Sequence, residues 1–133
     1  MEKKYINRFN SFCRCLDLLK LSEGEDPEKP FVLPGTVQNY NLTFDLSWKL
    51  MKDILLSEYG ISDFATGSPK ETIRTAASVG LINDDKWIDM LNARNNLIHD
   101  YDGLLANKLF DEITRVYCKL FMELQDKIQN SWL

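Results

Sequence analysis

Along this chain, apolar residues recur at intervals of three and four rather than two, the period of amphipathic helices and not of strands. Tyr5, Phe9, Phe12, Cys13, Leu16 and Leu19 predict a first helix from about Lys3 to Leu21. Ser22-Glu23-Gly24-Glu25-Asp26-Pro27 stops it, and Pro30 and Pro34 keep the following connection extended. A second helix is expected from Thr36 or Val37 to Tyr59, with Gly60 as its stop. Tyr40, Phe44, Leu46, Trp48, Leu50, Met51, Ile54 and Leu55 leave that helix apolar on more than one side, so it is either central or shared with another subunit.

Ser68-Pro69-Lys70-Glu71 combines a capping serine, a proline at the first helical position and a glutamate at the third. It predicts a short helix from Pro69 to about Val79, ended by Gly80. A further helix runs from Asn83 to about His99 with Trp87, Met90, Leu91, Leu97, Ile98 and Tyr101 as its apolar stripe. After a bend near Asp100 to Gly103, the last runs from Leu104 to about Ile128. Four long amphipathic helices with modest connections predict an all-α fold, an antiparallel up-down-up-down four-helix bundle with one short extra helix, as a single domain over residues 1–133.

Composition narrows the partners. A chain of 133 residues buries roughly two-thirds of its unfolded surface and needs no metal or disulfide to hold a core. Cys13 and Cys15 lie two apart on one helix and Cys118 is remote, so neither disulfide nor metal-ligand spacing is present, and three reduced thiols in a cytoplasmic protein are expected. The polar opening Met1-Glu2-Lys3-Lys4-Tyr5 predicts neither signal peptide nor membrane span. A net charge of −4 argues against a sequence-blind grip on nucleic acid, yet leaves room for a local basic cleft.

Candidate chemistry centres on His99, the one histidine of the chain, since histidine is the side chain whose ordinary pKa lies near neutral pH. Arg94 sits five residues earlier, on the apolar stripe, where an arginine needs a partner. Arg94 and Tyr101 share a helical face, while His99 lies about 140° around from Arg94. One regular helix therefore closes no compact site: either the helix distorts near its end, or two copies meet across a dimer axis. A groove holding arginine and histidine suits RNA cleavage without metal, with His99 moving a proton of the ribose 2′-hydroxyl and Arg94 holding the phosphate. The plainer alternative is a histidine that caps helix carbonyls and an arginine paired with a core acid. Trp48 with Lys49 and Lys52 resembles a surface on which a tryptophan anchors a partner, and equally a tryptophan packed inside a bundle. Lys70 and Arg74 share a face that can hold phosphate or simply meet solvent.

Three stretches carry a resemblance: Tyr40-Asn41-Leu42-Thr43-Phe44-Asp45-Leu46-Ser47-Trp48-Lys49, then Ser68-Pro69-Lys70-Glu71-Thr72-Ile73-Arg74-Thr75-Ala76, then Trp87 through Met90-Leu91 into Arg94-Asn95 and His99-Asp100-Tyr101-Asp102. In this order they resemble the small helical nucleotidyltransferase substrate-binding proteins of the HEPN superfamily. The resemblance implies a homodimer that pairs with a minimal nucleotidyltransferase encoded by a separate gene, in a toxin-antitoxin type module. That partner would supply the catalytic acids and the metal, so no metal or cofactor site is expected in this chain. Arg94, four residues, His99, one residue, Tyr101 is similar to the active motif of HEPN ribonuclease toxins, with Asn95 as the polar residue after the arginine. The same likeness implies Tyr101 as the residue a companion enzyme would modify. It makes Asn95, Trp48, Lys49, Lys70 and Arg74 candidate substrate contacts and a nucleotide or RNA the candidate ligand. Ile98 departs from the family pattern, which places a small hydroxyl residue there, and makes the site more apolar.

Overall fold

The computed structural model describes residues 3–62 and 68–133. Met1 and Glu2, part of the leader reading, lie outside them. Every regular element among the described residues is helical: α1 (Ile6–Lys20), α2 (Val32–Ser57), α3 (Pro69–Ser78), α4 (Lys86–Leu97), α5 (Leu104–Asp111), a π-helical segment (Glu112–Tyr117) and α6 (Cys118–Trp132). No helix among the described residues is long and apolar enough to cross a membrane.

Helix α2 packs against α1, α3, α4 and α5, which accounts for its apolar residues on several sides. It begins at Val32, earlier than its hydrophobic pattern suggests, because Pro34 falls in the first turn, where a missing N–H costs no helical hydrogen bond. Phe31 precedes it in a left-handed conformation, φ 71°, unusual for a residue with a Cβ.

Capping explains the short helices. Ser68 Oγ accepts from Glu71 N at 3.3 Å with Pro69 at the first position, as the sequence predicts. The reciprocal half of a capping box is absent, since the Glu71 carboxylate meets Arg74 instead, 3.1 Å away. Gly80, at φ 80°, closes α3: its N–H donates to Ala77 O and that of Leu81 to Ala76 O.

The expected last helix is interrupted. Over Glu112–Tyr117 the backbone widens to a π-helix, within which Thr114 Oγ1 donates back to Phe110 O at 2.9 Å. There Tyr117 stacks on Tyr40 with ring centroids 5.8 Å apart. Tyr40, Phe44, Trp87 and Phe121 continue an aromatic core reaching Phe12 of α1. The Tyr40 hydroxyl, fully buried, donates to Met90 O of α4 at 2.7 Å. Burial, and Tyr117 beside it, push its pKa well above the ordinary phenol value, so the proton stays on the oxygen and the donor persists.

Candidate functional site at the α2–α4 seam

Asn41, Asp45 and Trp48 recur at helical spacing on α2, and Arg94 and Asn95 end the facing helix α4. Arg94 Nη2 donates to Asp45 Oδ2 at 3.1 Å, and Nε lies 3.0 Å from Oδ1. The second approach is Coulombic rather than an aligned hydrogen bond, so Asp45 Oδ1 is buried without an aligned donor. Both side chains remain about one-third exposed, 30% and 32%, so the pair is partly screened by water. Arg94 Nη1 donates to Asn95 Oδ1 at 3.2 Å. One turn before Asp45, Asn41 Oδ1 is also buried and has no hydrogen-bond partner among the described residues. The partner that Arg94 requires is thus Asp45, between Val32 and Lys52 the one acidic residue of the sequence. That isolation in an apolar stretch was the available signal; the choice of facing residue on α4 was not readable.

Helix α4 ends at Leu97, so Ile98 and His99 lie in the turn that follows rather than on the helix. His99 N donates to Asn96 O at 3.1 Å, while its side chain is exposed and makes no hydrogen bond or ion pair among the described residues. Tyr101 is 91% exposed. Its ring borders a shallow groove of about 370 Å³ between Leu33, Val37, Leu97 and Ala106. Asp100 serves the fold: its carboxylate accepts from Leu105 N at 3.0 Å and Ala106 N at 2.8 Å, capping α5 just after the left-handed Gly103.

Of the sequence-derived candidates, the fold therefore joins Arg94 with Asn95 through a direct hydrogen bond, and puts His99 and Tyr101 in the adjoining turn. Trp48 is half-buried against the core rather than presented as a free aromatic surface. Lys49 is exposed and its backbone carbonyl accepts from Arg8 Nη1 at 3.4 Å. Lys70 and Arg74 stand on α3, both exposed, with Arg74 held by Glu71. The chemistry available at the seam is anion recognition by a guanidinium and an amide, beside two buried acceptor oxygens that have no donor among the described residues.

Residues 4–130 match the sequence model of a family described as nucleotidyltransferase substrate binding protein like. The chain belongs to that family. Among solved structures, this family member is similar to a protein from Thermus thermophilus, with a TM-score of 0.78 and 25% identity over 89% of this chain and 98% of that one. No curated protein matches. The α2–α4 seam and the turn after α4 thus lie inside the matched region, as do all eight candidate residues.

Proposed function

We propose that this chain is the substrate-binding companion of a minimal nucleotidyltransferase encoded by a separate gene, acting in the cytoplasm within a toxin-antitoxin type module. The match over residues 4–130 carries this reading. In it the helices form an antiparallel up-down-up-down four-helix bundle, two copies of which pair. Phe31, Ile98, Tyr101 and Leu104 support an interface on the side of the turn, since all four are large apolar residues left 48% or more exposed. The partner enzyme supplies the catalytic acids and the metal; this chain recognises and positions the substrate. Co-expression with the neighbouring nucleotidyltransferase is expected to give one co-eluting complex, and separate elution of the two proteins overturns the reading.

A second reading is a metal-independent ribonuclease. It is favoured by the exposure of His99 and Tyr101, neither of whose side chains is tied into the fold among the described residues. His99 would take the proton of a ribose 2′-hydroxyl, whose oxygen attacks the adjacent phosphorus and expels the 5′-oxygen; that oxygen takes a proton from water, leaving a 2′,3′-cyclic phosphate and a 5′-hydroxyl, and the imidazolium returns its proton to solvent. Arg94 would stabilise the charge that develops on the phosphoryl oxygens. A mixed RNA pool in EDTA tests it: cutting by the native chain that His99→Ala lacks supports the reading, and intact RNA in both samples refutes it.

A further inference from the structure

One feature of the α2–α4 seam remains unexplained by packing: a guanidinium that a carboxylate holds along one edge. Asp45 engages Arg94 from the side, through Nε and Nη2. That leaves the end-on fork of Nη1 and Nη2, whose spacing fits two oxygens of a phosphoryl group. Among the described residues this fork carries only the Asn95 amide oxygen, at 3.2 Å from Nη1. Asn95 is exposed, so its amide can turn and offer its own N–H to the same anion.

Resting on the substrate-binding reading above, we propose that the seam is a subsite for the phosphoryl group of a nucleotide, in which Asp45 is the positioning residue that aims Arg94. Without the carboxylate, the long arginine side chain samples several rotamers and the fork loses its direction. With it, the guanidinium plane is set before the ligand arrives. The chemistry is shared by a free nucleotide and by an RNA backbone.

The test uses the full chain, with ADP and a mixed-sequence RNA 12-mer as separate probes and dissociation constants read by titration calorimetry. The native protein is expected to bind at least one probe; binding of ADP marks a free nucleotide as the ligand, and binding of the 12-mer alone marks RNA. Asp45→Asn is expected to weaken that binding by about tenfold or more, Arg94→Lys by a similar factor, and the double variant by no more than either single change, because both remove one unit. A purely structural ion pair lowers thermal stability without moving the dissociation constants. Thr114→Val, in the π-helical segment, supplies a destabilised control whose affinity is expected to stay native. Equal affinity in the native chain and Asp45→Asn overturns the role of Asp45 and leaves substrate binding standing. Binding of neither probe by the native chain overturns the subsite, while co-elution with the nucleotidyltransferase still decides the companion reading on its own.

Discussion

Replacing Tyr40 by phenylalanine removes one oxygen atom and isolates the hydrogen bond that sets how closely α4 sits on α2. The ring stays among Phe44, Tyr117 and Phe121, so packing is nearly unchanged. What is lost is the 2.7 Å bond to Met90 O in a fully buried setting. A bond of this kind contributes about 1 to 1.5 kcal/mol net, and the small void left by the oxygen adds a few tenths. For a chain of this length that corresponds to a Tm lower by about 3 to 6 °C. Urea unfolding followed by circular dichroism is expected to show a lower midpoint with an unchanged slope, since the surface exposed on unfolding stays the same. Met90 lies one turn before Arg94, so the variant also tests whether the α2–α4 spacing sustains the Arg94–Asp45 contact. Stability within about 0.3 kcal/mol of native refutes the reasoning, because it means the bond contributes nothing beyond what water gives the unfolded chain.

Other substitutions probe the turn, the entrance to α2 and the buried thiol. Asp100→Ala leaves Leu105 N and Ala106 N without their carboxylate and is expected to cost about 1 to 2 kcal/mol, read as a lower urea midpoint; native stability refutes the cap. Phe31→Asn relieves a left-handed backbone at a residue 86% exposed, and should raise the stability of the isolated chain by about 1 kcal/mol. If Phe31 also contributes to the proposed dimer interface, sedimentation of the same variant will show weaker self-association. Burial pushes the Cys118 thiol from its ordinary 9.0 up to about 12, so the folded chain keeps a proton that the unfolded chain releases. Its contribution is fully present below pH 9 and is lost as pH rises toward 12, so unfolding free energy should fall between pH 9 and 11 more steeply in the native chain than in Cys118→Ala. Thiol titration at pH 8 is expected to modify Cys118 last, and only on unfolding.

The helical period, the Ser68-Pro69 start, the Gly80 stop and the Gly103 turn were legible because each rests on chemistry within a few residues of chain. The need of Arg94 for a partner was legible too, since an arginine on an apolar stripe cannot stay unpaired. Its partner was not: Asp45 lies 49 positions away, and pairing at that distance is decided by how α4 rotates against α2. The same holds for Tyr40 and Met90. The widened Glu112–Tyr117 turn carries no local breaker such as proline or glycine; it arises where Tyr117 meets Tyr40 across the core. His99 was expected on the helix and lies past its end, because helix termini depend on a competition between the next backbone bond and a tertiary cap, here won by the Asp100 carboxylate that opens α5. Local bonding is written in neighbouring residues, and the sequence by itself determined it. Which faces meet, and so which polar groups share the seam, follows from packing the whole chain at once, and only the tertiary structure decided that.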